Sequence, residues 1–262
     1  GAALDTMTQS LAYKGVRKWI TRPERPRTTR HLKLIEMAIK EECNLVVVPG
    51  TVWLSLRKDP VSRRTRDFLW KAIHGAHRTG AYWGHIPGYE GRKMCGPCAQ
   101  VDDMCHILTL CEAAGQAEVW ALAKELLRRK GIRTPQVSLG LALGAHIFTV
   151  LDGDGMAVVD KTRMARIILM EATQLIWALR CERVIGWEEF PDRRHAPEEI
   201  RRRFEARLNQ RLSLDQSGTN KRVHKKKALS CARVRATWQG LLKDEHKLSE
   251  DWLTETGVLV GM

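Results

Sequence analysis

Four residues with the spacing of metal ligands fall within one short stretch, residues 94–111, which reads MCGPCAQVDDMCHILTLC. Two residues separate Cys95 from Cys98, and four separate His106 from Cys111. Thiolate and imidazole are the ligands of closed tetrahedral zinc sites, in which the metal has a structural role. We therefore predict a structural zinc (Zn²⁺) knuckle with these four residues as its ligands.

The Cys-Gly-Pro-Cys turn suits the first half of such a site. Gly96 frees the backbone and Pro97 stiffens it, so both sulfurs can point at one centre. The alternative is a redox-active Cys-x-x-Cys pair near a buried histidine and cysteine. That motif is typical of thioredoxin-like proteins when a βαβ pattern surrounds it, and the sequence contains no such pattern here. Cys105, directly before His106, is a competing ligand.

Composition indicates a globular protein. The chain has 262 residues, of which 44% are apolar, enough for one large or two small domains. Its seven cysteines are an odd number and four of them lie in one segment. This pattern differs from a secreted disulfide framework, so we expect an intracellular location, either nuclear or cytoplasmic. The sequence has no signal peptide and no apolar run long enough to span a bilayer, so we expect no membrane partner.

Basic residues are numerous and clustered. The formal net charge is +14, and residues 191–227 alone contain twelve Lys or Arg against five Asp or Glu. Such clusters favour a polyanion, and RNA or DNA is the first candidate. Arg-rich helices can instead be solvated faces with local carboxylate partners. The predicted phosphate contacts are Arg201, Arg202, Arg203, Arg207, Lys221, Arg222, Lys225, Lys226 and Lys227.

Hydrophobic periodicity predicts a mainly α protein: a multi-helix domain organised around the small zinc knuckle, with little or no sheet. The predicted helices cover residues 11–20, 31–43, 51–58, 61–80, 119–130, 160–187, 197–211 and 228–242. Residues 21–30 are predicted to be a linker and residues 217–227 a mobile basic loop. Residues 137–150 fit either a helix or a strand, and the C-terminal tail is apolar enough to pack back onto the domain.

The chain divides into three predicted parts. Residues 1–60 form N-terminal helices and a basic linker, residues 61–131 a zinc-knuckle helical module, and residues 132–262 a C-terminal helical region with a basic surface. Two weaker metal patterns are rejected. His74 and His77 have no carboxylate or cysteine beside them, so packing or polar support is favoured there. The segment LDGDG lacks the terminal glutamate of a calcium loop.

Residues 66–131 resemble the zinc-binding segment that follows the reverse transcriptase and RNase H regions of non-LTR retrotransposon proteins. The shared pattern is Phe-Leu-Trp-x-x-x-His, then Cys-x-x-Cys, Glu/Asp-x-x-His, and a Cys before a Trp-bearing helix. The flanks LDTMTQSLAYKGVR, LIWALRCERVI and TWQGLLKDEHKLSEDW resemble fungal versions. The resemblance implies an accessory module in which the metal holds structure. It places the ligands on Cys95, Cys98, His106 and Cys111, with Cys105 where the family more often has Glu or Asp.

The sequence predicts no catalytic chemistry. RNase H activity needs carboxylates that hold two metal ions, and neither these nor the paired aspartates of a polymerase are evident. The predicted function is thus a non-catalytic, zinc-stabilised nucleic-acid-binding accessory module of a retroelement-derived reverse transcriptase/RNase H protein. The alternatives are a fragment of an RNase H-type hydrolase whose catalytic domain lies upstream, or a degenerate element without activity. The chain begins GAALDT, without methionine, so we expect a piece of a longer protein.

Overall fold

Helices of very different lengths make up the structure, a computed structural model that describes residues 4–19, 25–190 and 192–262. The α-helices of these residues are α1 (Gln9–Trp19), α2 (Pro26–Cys43), α3 (Pro49–Ser55), α4 (Arg63–Ile73), α5 (Gln116–Arg129), α6 (Leu139–Gly144), α7 (Val159–Cys181), α8 (Pro197–Gly218), α9 (Lys221–His224) and α10 (Cys231–Trp238). The described residues contain no sheet, only isolated bridges such as Met94 with Val101. The predicted mainly α fold class is confirmed.

Helix α7 is the central element. Its stretch from Ile167 to Met170 is buried on every side, as its continuously apolar sequence predicts. Helices α4, α5, α6, α8 and α10 all pack against it. The resulting core extends from Ile35 in α2 to Val260 in the tail, so it draws side chains from all three predicted parts of the chain.

Helix α2 begins at Pro26, five residues before the predicted start at His31. Proline is compatible with the first turn of a helix, where its missing N–H has no partner to lose. Part of the predicted linker is therefore helical. Thr28 is buried inside this helix, and its Oγ1 lies 3.0 Å from Nδ1 of His74. Residue 20 and the rest of the linker, 21–24, lie outside the described residues.

Helix α4 begins at Arg63, two residues after the predicted start, and it ends early. Oγ of Ser62 accepts a hydrogen bond from the backbone N–H of Thr65 at 3.1 Å. The helix ends at Ile73 rather than Gly80, because Gly75 takes a left-handed φ of 61°. The N–H of Ala76 then donates to the carbonyl of Lys71, which closes the helix in a Schellman motif.

Helix α6 resolves the ambiguous segment 137–150. A Cβ on Gly140 would lie 2.1 Å from the carbonyl oxygen of Leu34 in α2, so the two backbones are in close contact. The glycines that obscure the periodicity therefore serve this contact.

Helix α7 is shorter than predicted because a π-turn, Glu182–Gly186, follows it, whereas α8 continues to Gly218.

The predicted mobile loop at 217–227 is instead helical. Asn220 caps α9 by accepting hydrogen bonds from the N–H groups of Arg222 and Val223, and a 3₁₀ turn, Lys225–Lys227, follows. Helix α10 covers only the middle of the predicted 228–242 helix.

The tail packs back as predicted, with Trp252 and Val260 buried. No helix of the described residues has both the length and the apolar character needed to cross a membrane.

Candidate metal centre

The four predicted ligands meet at one point. The ligand atoms of Cys95, Cys98, His106 and Cys111 all lie within 4.8 Å of one another, so the cluster can hold a metal ion. Sγ of Cys111 lies 3.8 Å from Sγ of Cys95 and 3.8 Å from Sγ of Cys98. Three of the four residues are buried and Cys98 is partly buried.

A tight turn presents the first two cysteines. The N–H of Cys95 donates to the carbonyl of Gln100 at 2.7 Å, and the N–H of Ala99 donates to the carbonyl of Cys95 at 2.8 Å. Ala99 has a left-handed φ of 51°, while Gly96 is not among the residues with positive φ. The conformational freedom of Gly96 is therefore not what closes this turn. The left-handed position lies one residue after Cys98, where the chain turns back towards Gln100.

A π-turn, His106–Leu110, presents the other two ligands. Oδ1 of Asp103 accepts a hydrogen bond from the N–H of His106 at 2.9 Å, and the N–H of Cys111 donates to the carbonyl of His106. Residues five apart lie on different faces of an α-helix, which has 3.6 residues per turn. The wider π-turn brings His106 and Cys111 to the same side, and π-turns are frequent at functional sites.

The imidazole of His106 supports a metal at this point. It is 3% exposed, and neither ring nitrogen has a hydrogen-bond partner among the described residues. A buried polar atom without a partner destabilises a fold by about 1–3 kcal/mol, and a metal ion bound to the ring would remove that penalty. Cys105 lies outside the cluster, and its Sγ is 3.6 Å from Oγ1 of Thr109.

A cation from a distant segment lies against the sulfurs. Nη2 of Arg183, in the π-turn after α7, is 3.8 Å from Sγ of Cys95 and 3.8 Å from Sγ of Cys111. The pKa of Cys111 is lowered by the hydrogen bond from the Cys95 thiol, and also by the N–H of Ala113 and the charge of Arg183. The Cys95 proton is lost when both sulfurs bind a metal, whereas the Ala113 N–H and the charge of Arg183 remain and favour the thiolate, the form that binds metal.

Arg183 was missed by the sequence interpretation. It lies 88 residues after Cys95 and 72 after Cys111, and nothing in its neighbourhood marks it among the many arginines. Only the packing of α7 brings it to the cluster.

Ion pairs attach the knuckle to α7 and its continuation. Asp102 is 1% exposed, and its Oδ2 accepts a hydrogen bond from Nε of Arg180 at 2.8 Å. Arg92, just before the first cysteine, pairs with Glu188. Breaking a buried pair by removing one partner destabilises a protein by about 3–5 kcal/mol, so the Asp102–Arg180 pair is a strong constraint on the position of the knuckle.

The predicted phosphate contacts separate into two groups. Arg201, Arg203 and Arg207 already pair with carboxylates of this chain, Arg207 with Glu171 for example. The other six predicted contacts are exposed and have no carboxylate partner in residues 25–190 and 192–262. They are Arg202, Lys221, Arg222, Lys225, Lys226 and Lys227.

His74 and His77, whose metal pattern was rejected, have packing and polar roles. Nε2 of His77 lies 3.1 Å from the carbonyl oxygen of Phe68, and the His74 ring stacks on Trp53.

Comparison of the chain with protein-family models, with curated proteins and with solved structures found no match.

Proposed function

We propose that this chain is a non-catalytic, zinc-stabilised nucleic-acid-binding accessory module of a retroelement-derived reverse transcriptase/RNase H protein. The geometry of the cysteines supports zinc. Tetrahedral coordination with Zn–S bonds of about 2.3 Å places two thiolates about 3.8 Å apart. The Sγ distances from Cys111 to Cys95 and to Cys98 are both 3.8 Å.

A structural role fits the ligand set. Three thiolates and one imidazole complete a tetrahedron and leave no open position for a substrate. Cys95, Cys111 and Ala113 form a small buried cluster of their own, apart from the main core. So small a cluster cannot order the surrounding loop by burial alone, and metal binding supplies the missing free energy. The charge of Arg183 offsets the net negative charge of a zinc ion bound by three thiolates.

The unpaired cations of residues 221–227 carry the proposal of nucleic-acid binding. Lys221, Arg222 and the three lysines Lys225–Lys227 are all exposed and close together in sequence, on an ordered segment. Phosphate contacts of this kind release counterions, so they give an affinity that depends steeply on salt and weakly on sequence. The paired arginines of α8 fit the alternative of a solvated face, and we expect a smaller contribution from them.

Salt dependence tests this proposal. We expect the triple substitution Lys225→Gln, Lys226→Gln and Lys227→Gln to lower the slope of log affinity against log salt by about 2–3, because each lost phosphate contact removes about 0.7–0.9. The measurement is fluorescence anisotropy with a labelled oligonucleotide from low to moderate salt.

A matched control removes the same charge elsewhere. Lys33, Lys40 and Lys124 have no ion pair within the described part of the chain, and their substitution by Gln lowers the net charge equally. This control should keep the slope of the unmodified protein. An unchanged slope in the Lys225–Lys227 variant, or an equal drop in the control, would assign the segment to solvent.

The retroelement origin rests on the resemblance of residues 66–131. The coding sequence immediately upstream tests it. An in-frame RNase H or reverse transcriptase domain would support an accessory module within a larger enzyme, and its absence from intact copies of the gene would contradict that origin.

A further inference from the structure

A cleft of about 850 Å³ is lined by residues of α1, α3, α4 and the turn between α3 and α4. Its volume is in the range of ligand sites, about 300–1,000 Å³. Its walls combine arginines with aromatic rings, and they include none of the metal ligands and none of the cations at 221–227.

Three rings form an ordered aromatic surface in the cleft. Trp53 and His74 stack at a centroid distance of 4.9 Å and an angle of 11°, and Trp70 meets His74 edge-on at 4.5 Å. The hydrogen bond between His74 and Thr28 of α2 holds the central ring in place. Burial lowers the pKa of His74, and Arg25 acts in the same direction, so this ring is neutral near pH 7. Trp70 is 46% exposed, and its ring contacts His74 on one side.

Arginines from α1, from α4 and from the turn between α3 and α4 surround these rings. Arg17, Arg57, Arg63 and Arg66 are exposed, and none has a carboxylate partner in the part of the chain that the structure describes. The one acidic residue of the lining, Asp67, pairs with Lys71 at 3.0 Å. The cleft is therefore strongly positive around an exposed aromatic face.

We propose that this cleft binds single-stranded RNA or DNA, with a base stacked on Trp70 and the adjacent phosphates against the arginines. Aromatic platforms inside a basic groove are the general means of holding single strands, because every base has a π-face and every nucleotide a phosphate. A duplex keeps its bases stacked internally and offers none to Trp70. The inference rests on the proposed function, and it locates the strand on a surface separate from residues 221–227.

The turn between α3 and α4, which supplies Arg57 to the cleft, is tied to α10. Nη2 of Arg233, in the first turn of α10, lies 3.4 Å from Oδ2 of Asp59 in that turn.

The test is fluorescence anisotropy with the full zinc-loaded chain, using a labelled 12-nucleotide single strand of uridines or thymidines and a 12-base-pair duplex. Removing the ring on which one base stacks is expected to weaken single-strand binding by roughly tenfold or more. Trp70→Leu should show this loss, while duplex binding should change less than about twofold. Phe190→Leu is the matched control, because Phe190 is also exposed (60%) but lies outside the cleft.

A second variant avoids the aromatic packing. The triple substitution Arg57→Gln, Arg63→Gln and Arg66→Gln should lower the single-strand salt slope by about 2, since each single-strand phosphate contributes about 0.7. Trp70→Phe should retain most of the binding, because it keeps a ring. Circular dichroism melting establishes that each variant is folded, and the arginine variant decides the question if Trp70→Leu does not fold.

The outcomes separate this inference from the proposed function. Single-strand binding that is unaffected by the cleft variants, or a loss equal for single strand and duplex, overturns the cleft as the site. Single-strand binding that depends on Lys225–Lys227 alone also overturns the cleft as the site, but it supports the proposed function. A chain that binds neither probe contradicts both.

Discussion

Substitution of one proposed zinc ligand gives the sharpest test of the candidate metal centre. We expect Cys98→Ser to lose the metal, because a hydroxyl is a far weaker ligand than a thiolate and only three ligands remain within the 4.8 Å cluster. Structural zinc supplies on the order of 10 kcal/mol or more to the folding of small sites at neutral pH. The small buried cluster of Cys95, Cys111 and Ala113 cannot replace that contribution.

The core limits how far the disorder spreads. Met104, Ile107 and Leu108 belong to the main hydrophobic core, so the π-turn should remain docked when the metal is lost. Residues 90–101 contain no member of that core and should become mobile, whereas Asp102 stays held by its buried ion pair with Arg180. Helix α7 should persist, since its buried residues pack independently of the cluster.

Zinc stoichiometry by atomic spectroscopy is the primary measurement. Limited trypsin digestion measures the mobility of the loop. Arg92 and Lys93 lie directly before the site, and cleavage there requires a mobile backbone. Cys105→Ser is the matched control, since Cys105 lies outside the cluster and should leave both zinc content and proteolysis unchanged. Full zinc retention in Cys98→Ser, or zinc loss in Cys105→Ser, would refute the ligand assignment.

Two further predictions concern arginines, and a third concerns catalysis. Arg183→Met should keep the metal site but weaken zinc binding about 10- to 100-fold in a chelator competition, as loss of an outer contact to a metal ligand does; unchanged affinity would show that Arg183 has no such role. Arg163→Met should reduce the free energy of unfolding by about 3–5 kcal/mol in urea titrations, because Arg163 and Asp215 are a buried pair with Nη1 and Oδ2 2.6 Å apart; a loss below about 1 kcal/mol would contradict this assignment. The isolated chain should not cleave RNA in an RNA–DNA hybrid, and magnesium-dependent cleavage abolished by one Asp or Glu substitution would overturn the non-catalytic proposal.

Features that depend on neighbouring residues were predictable from the sequence. The Ser62 cap, the central α7 and the docked tail all follow from local pattern and apolar content. The metal cluster was predictable for the same reason, since its ligands lie within one short stretch of chain and their chemistry limits what they can do together.

Helix boundaries were less predictable, because contacts with other segments compete with local preference. Helix α6 depends on the close approach of Gly140 to Leu34 in α2, which no pattern within 137–150 reveals. The Asn220 cap orders a basic segment whose composition suggests a mobile loop. In the knuckle, the left-handed residue is Ala99, although Gly96 has the greater intrinsic freedom.

By itself the sequence determined the mainly helical class and the four ligands that converge, since both arise from residues close together in the chain. Only the tertiary structure placed Arg183 against the sulfurs, buried Asp102 beside Arg180, and separated the paired arginines of α8 from the free cations. It also assembled the aromatic and arginine cleft from α1, α3 and α4. Local rules act over a few residues, whereas these arrangements join segments tens of residues apart, whose meeting is set by how the helices bury their apolar faces.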